Sequence, residues 1–161
     1  MERLPVKDAA ALALFLLLCF GVAALGSMAT VQGLREWYPS LEKPGFNPPN
    51  RVFGPVWTTL YTAMAVAAWL VWRRVGLDGG RWPLGWFALQ LALNLAWSFL
   101  FFGMRLPGVA FAEVVMLWAA ILGSILAFRP ISLAATLLMV PYLAWVTFAS
   151  VLNFEIWRLN R

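Results

Sequence analysis

Histidine is absent from this chain, and cysteine occurs once, as Cys19. The first absence excludes histidine-based zinc sites, Ser-His-Asp and Cys-His nucleophile systems, and histidine-ligated haem. The second excludes an intramolecular disulfide, so redox compartment cannot be read, and no metal site is expected. Charge is also scarce: 12% of the 161 residues are Asp, Glu, Lys or Arg. Soluble domains carry about 25%. The formal charge of +5 contains no basic run, which argues against nucleic acid.

What is present is apolar. Hydrophobic residues make up 63% of the chain, and the mean hydropathy is +0.79. Five segments, 8–31, 53–75, 82–104, 107–128 and 131–156, are each long enough to cross a bilayer as a helix. The expected fold is a single all-α integral membrane domain over 1–161, a five-transmembrane-helix bundle with a long loop between helices 1 and 2. Basic residues such as Arg3, Lys7, Arg73, Arg81, Arg105, Arg129 and Arg158 fall at segment ends, where a charge avoids the cost of mid-membrane burial. Basic residues tie at six on each side, so orientation stays open. Pro55, Pro83, Pro107 and Pro130 lie near predicted first turns, and Pro141 predicts a kink in the fifth segment. The first apolar run is longer than a cleavable leader's core, so it reads as a membrane helix. Connections 73–81, 104–107 and 128–131 are short, which makes neighbouring helices antiparallel.

Polar residues inside these segments follow helical spacing. Gln90, Asn94 and Ser98 recur every four residues beside Trp97. Tyr142, Trp145, Ala149 and Asn153 share a face of the fifth segment, and Trp57, Tyr61 and Ala65 a face of the second. Such faces either bond helix to helix or line a ligand pocket, and spacing alone leaves both readings open. Of ten tryptophans, Trp37, Trp69, Trp72, Trp82, Trp86 and Trp157 suit an interfacial belt. Glu113, an acid inside the fourth segment, reaches the interface, pairs with Arg105, or marks a proton or cation path. Glu155 and Arg158 are spaced for a helical ion pair.

The connection WYPSLEKPGFNPPNRVFGPVW, residues 37–57, holds five prolines and is too aromatic for compositional disorder. Together with FGPVWTTLYTAM, QLALNLAWSFLFFG and PYLAWVTFASVLNFEIWRLN, it closely resembles the translocator protein family. That family includes bacterial tryptophan-rich sensory proteins and the peripheral-type benzodiazepine receptor. The resemblance runs from about Trp37 to Arg161. It implies a five-helix bundle, a homodimer in the lipid bilayer, and a pocket under the helix 1–2 loop for protoporphyrin IX, sterols or benzodiazepine-type ligands. Carried over by motif, the ligand-binding residues would be Tyr38, Pro48, Pro49, Trp57, Tyr61, Asn94, Trp97, Trp145, Ala149 and Ser150. Trp57 and Asn94 would donate to a ligand carbonyl, and Trp145 would stack.

Phe154 stands where the family's sterol pattern has tyrosine, which removes a hydroxyl and argues against tight sterol binding. Without histidine, metal-free porphyrin suits the pocket better than haem, and no cofactor is required. Lys43 and Arg51 in the loop are candidate contacts for the propionates. The leading expectation is a tetrapyrrole receptor or carrier in stress sensing or porphyrin transport, with the loop as a proline-stiffened lid. Two alternatives remain: a light- and oxygen-dependent protoporphyrin-degrading enzyme using Trp57 and Trp145, and an ion-coupled transporter using Glu113. The absence of a basic tail after WRLNR suggests a bacterial cell membrane.

Overall fold

The computed structural model describes residues 6–161, and Arg3 lies outside them. Four α-helices occur among the described residues: α1 (Val6–Glu36), α2 (Phe53–Ser98), α3 (Pro107–Phe128) and α4 (Leu133–Leu159). Two short 3-10 turns, Tyr38–Ser40 and Asn50–Val52, interrupt the α1–α2 loop, and a π turn, Phe99–Gly103, extends α2. No strand occurs among the described residues. All four helices are long and apolar enough to cross a membrane, the second forming a 54-residue element with its flanking turns.

The second and third expected segments are joined. Residues 77–81, expected in a connection, are helical, and Pro83 lies inside α2. The only non-helical residue inside α2 is Gly76, at φ 67 and ψ −168. This region is open to glycine and costly for other residues. A straight helix of 46 residues would be about 70 Å long. Instead the Tyr61 hydroxyl donates to the Asn94 side chain, 33 residues on, a separation of about 50 Å along a straight helix. α2 is therefore folded back on itself, and Gly76 alone accounts for the reversal.

The turn into α4 is built differently. Ser132 caps the helix, its hydroxyl accepting from the Ala135 N–H at 3.2 Å. The Arg74 guanidinium reaches the Ile131 carbonyl and ties this turn to the first arm of α2. Pro141, where a kink or local adjustment was expected, lies inside α4, which continues through it as one helix.

In lipid, helices associate mainly by close packing, which favours small residues at contacts. Gly26, Ala29 and Gly33 form such a face on α1 against the end of α2 and the π turn. A Cβ on Gly33 would stand 2.7 Å from the Phe102 Cβ, so only glycine admits this approach. The main core joins Cys19, Met64, Phe87, Ile121, Phe128, Met139 and Tyr142. A smaller core of Tyr38, Phe101, Phe102, Leu152 and Ile156 lies toward the loop. Successive residues of an α-helix point about 100° apart. Within the π turn both Phe101 and Phe102 are buried, which turns two rings toward the same region.

At the surface, Arg73 pairs with Asp8 at 2.7 Å and Arg158 with Glu155 at 2.6 Å. The second is the expected helical pair. The pairing considered for Glu113 does not occur, because Arg105 meets Glu36 at 3.1 Å instead. Glu113 is 5% exposed, and neither of its carboxyl oxygens has a partner among the described residues.

Candidate functional site

Between α1, the two arms of α2 and α4 lies a cavity of about 500 Å³, under the α1–α2 loop. This is within the usual range for small-molecule sites. Trp57 and Tyr61 come from the first arm of α2, and Asn94 and Trp97 from the second. Trp145 and Ala149 come from α4, and Tyr38 from the loop. The expected aromatic and amide faces of three segments therefore meet around one space. Pro48, Pro49 and Ser150 do not line it, and neither do Lys43 and Arg51.

The absent residues have local reasons. The Ser150 hydroxyl bonds the Val146 carbonyl of its own helix at 2.7 Å. Pro49 caps the short turn Asn50–Val52. The Lys43 ammonium is held by the Leu41 carbonyl at 2.7 Å and lies 5.1 Å from the centre of the Tyr38 ring. Arg51 is exposed and has no hydrogen bond or ion pair among the described residues.

One wall was not anticipated. Ala23, Gly26, Ser27 and Thr30 of α1 line the cavity, together with Phe101 and Phe102 of the π turn. The signal for the first was the recurrence of small residues every three or four positions on α1. Nothing in FLFFG announces a π turn.

Aromatic contacts shape the interior. Trp97 stacks on Phe101 with centroids 5.1 Å apart and 18° between planes. Trp57 lies 5.6 Å from Tyr61 and 6.2 Å from Tyr142, and Trp145 lies 5.7 Å from Phe148. Among the described residues no charged side chain lines the space, so a charged portion of a ligand would find no counter-ion from them inside.

Most polar groups around the cavity already have partners. The Trp97 indole N–H donates to Asn153 Oδ1 at 3.0 Å, and Asn153 Nδ2 donates to the Pro107 carbonyl at 2.7 Å. Asn94 bridges Tyr61 and Tyr142, accepting from the first and donating to the second at 2.9 Å. The amide stripe of α2 thus both bonds helices and faces the cavity, at Asn94. Gln90, one turn away, is sealed in the interior without partners among the described residues. The indole N–H groups of Trp57 and Trp145 have no protein acceptor among the described residues.

The loop is fastened at several points. The Tyr38 hydroxyl donates to Asn47 Oδ1 at 2.6 Å. Burial pushes this phenol up to about 12, with the Asn47 bond acting in the opposite direction. Phe46 meets Phe148 edge-on at 6.2 Å. The Glu42 N–H donates to Asn160 Oδ1 at 3.0 Å, and Asn160 Nδ2 donates to the Glu42 carbonyl at 2.9 Å. Glu113 stands apart from the cavity lining. Among the described residues, no group of three His, Cys, Asp or Glu could hold a metal ion.

Comparison with known proteins follows the same residues. The sequence pattern of the TspO/MBR family matches residues 15–158. The chain is 43% identical over 158 residues to the tryptophan-rich protein TspO of Chlorobaculum tepidum, covering 96% of this chain and 98% of that protein. It is 43% identical over 131 residues to the translocator protein of Homo sapiens, covering 80% and 77% respectively. It is 42% identical over 142 residues to the tryptophan-rich sensory protein of Cereibacter sphaeroides, covering 86% and 88%.

Proposed function

The chain belongs to the TspO/MBR family of multi-pass membrane proteins, and from that premise we propose that it is a receptor or carrier for protoporphyrin IX or a related planar tetrapyrrole. The observation that carries the reading is the cavity itself: about 500 Å³, walled by indoles and phenyl rings, without a lining charge, under a fastened loop. A large apolar π-system gains stacking on Trp57, Trp97 and Trp145, while its carboxylates remain at the mouth. Arg51 is the better propionate partner there, because Lys43 is engaged by Leu41 and Tyr38.

The fold belongs to the same proposal. With α2 reversing at Gly76, its two arms cross the membrane separately and the bundle has five crossings. A homodimer in the bilayer is carried by the family resemblance. Phe154 lies beside Phe111 and Trp157, outside the cavity, so a sterol occupant has no support from this position.

Titration of the purified protein with protoporphyrin IX, haem and a sterol, followed by tryptophan quenching, tests the reading. Protoporphyrin IX is expected to bind most tightly, and Trp145→Ala to weaken it about tenfold or more, the scale of one lost aromatic stack. Equal binding of all three, or a Trp145→Ala protein that binds as the parent does, rejects it.

A second reading has one observation of its own. Trp57 and Trp145 border the cavity with no acceptor for their N–H groups, so a bound porphyrin acting as photosensitiser would meet two oxidisable indoles. Illumination with protoporphyrin IX and oxygen separates the cases. A defined product lost in Trp57→Phe or Trp145→Phe favours an enzyme. Bleaching that persists in both favours a binder. Ion coupling through Glu113 is less supported, since its carboxyl does not face the cavity.

A further inference from the structure

Asn94 lies between two phenols, with Oδ1 toward the Tyr61 hydroxyl and Nδ2 toward the Tyr142 hydroxyl. In this direction Tyr61 donates to Asn94 and Asn94 donates to Tyr142. Neither hydroxyl has another partner among the described residues. Tyr142 is 0% exposed, so its own proton would be sealed in the core without an acceptor. A buried donor in that position loses its water bond and gains nothing.

Turning the carboxamide by half a turn exchanges its oxygen and nitrogen in nearly the same two positions and reverses both bonds. Tyr142 then donates to Asn94 Oδ1, and Asn94 Nδ2 donates to the Tyr61 oxygen. The unassigned proton becomes that of Tyr61. Tyr61 lines the cavity and Tyr142 does not, so the reversed chain moves the unpaired donor from a sealed place to one where a ligand can accept it. We propose that the chain runs Tyr142 to Asn94 to Tyr61 to ligand. Tyr61 is then the donor to an acceptor atom on the ligand, such as a carbonyl oxygen. Asn94 and Tyr142 are positioning residues that aim its proton.

This assignment changes what the floor of the cavity selects. The Trp97 N–H is taken by Asn153 and the Tyr38 hydroxyl by Asn47. Beside the indole N–H groups of Trp57 and Trp145, Tyr61 supplies a further donor, and a planar ligand with an acceptor within its reach is favoured over a hydrocarbon of the same outline. The inference rests on the cavity being a ligand site, so one arm of its test needs no ligand.

The protein has three tyrosines, so single Tyr→Phe variants assign each ring in ultraviolet resonance Raman spectra of the ligand-free protein. The tyrosine Fermi doublet distinguishes a phenol that donates from one that only accepts. Tyr142 is expected to carry the donor signature. The second arm measures tryptophan quenching by anthraquinone, which has carbonyl acceptors, and by anthracene, which has none. Tyr61→Phe and Tyr142→Phe should each weaken anthraquinone about fivefold to tenfold, the scale of one hydrogen bond. The double variant should lose no more than either single one, and anthracene should be unaffected. An acceptor-only Tyr142, or Tyr142→Phe binding anthraquinone as the parent does, overturns the proposal. A donor signature at Tyr142 with no binding of either probe or of protoporphyrin IX would instead reject the ligand site and leave the direction of the chain standing.

Discussion

Asn160, just beyond the end of α4, and Glu42, in the middle of the α1–α2 loop, hydrogen-bond in both directions, one side-chain carboxamide meeting the main-chain N–H and carbonyl of one residue. The pair is 118 residues apart in sequence and fastens the loop over the cavity to the helix that carries Trp145 and Ala149. Asn160→Ala removes both bonds and leaves the cavity lining intact. Each bond to an exposed amide contributes about 0.5–1 kcal/mol, so loss of both should accelerate release of bound protoporphyrin IX about fivefold to thirtyfold. Stopped-flow fluorescence in nanodiscs measures this, and an unchanged release rate would show that the loop does not gate the cavity.

Gly76 should be the least replaceable residue of α2. Its φ of 67 with ψ of −168 lies in a region that L-residues occupy at a cost of about 1–3 kcal/mol. A Cβ there would meet no neighbour, so the penalty is conformational and not steric. Gly76→Ala should lower thermal stability in detergent, whereas Gly85→Ala, in regular helix with equally open surroundings, should raise it slightly. Equal melting temperatures for the two variants would contradict the backbone explanation.

Asn153→Leu, in the cavity wall, should cost more than a surface substitution. It leaves the Trp97 N–H without its acceptor and removes the Asn153 bond to the Pro107 carbonyl, the first costing about 1–3 kcal/mol for a donor left unsatisfied. The freed indole should also change the near-ultraviolet circular dichroism, because Trp97 is stacked on Phe101. A stable variant with an unaltered spectrum would remove Asn153 as the residue that orients this ring.

The loop also has a pH signature. Burial raises the Tyr38 phenol from an ordinary 10 to about 12, so the folded protein keeps this proton after an unfolded chain has lost it. Tyr38 therefore contributes stability that is complete below about pH 10 and lost as pH rises through about 12. Denaturation midpoints measured across that window should fall less steeply in Tyr38→Phe than in the parent. Parallel slopes would mean that Tyr38 ionises as freely as in water.

Much of the cavity was legible because helical spacing is a strong signal when the residues are distinctive. Trp57 with Tyr61, Asn94 with Trp97, and Trp145 with Ala149 each identified a face, and those faces meet. The loop was harder. Its prolines showed stiffness but not where its side chains point, so Pro48 and Pro49 were expected in the lining and lie outside it. The wall from α1 was missed because Ala23, Gly26 and Thr30 contribute by being small, and small residues on a membrane helix usually mean packing. The reversal of α2 was misplaced for another reason. Charge and glycine across 73–81 read as a connection, yet one glycine with positive φ suffices, and the neighbouring residues remain helical. Partner choice among charges escaped the sequence as well: Arg105 lies nearer to Glu113 along the chain but meets Glu36 across the bundle.

Folding α2 at one residue makes its arms a pair of tweezers. Tyr61 and Asn94 sit on opposite jaws, each more than 20 Å from Gly76 by the rise of a helix. At that radius a rotation of about 5° at the pivot moves a jaw by about 2 Å, comparable to the difference between a filled and a loosened contact around an aromatic ring. The hydrogen bond between the jaws therefore acts as the spacer that fixes the width of the slot, and whatever alters Asn94 changes the gauge of the whole instrument.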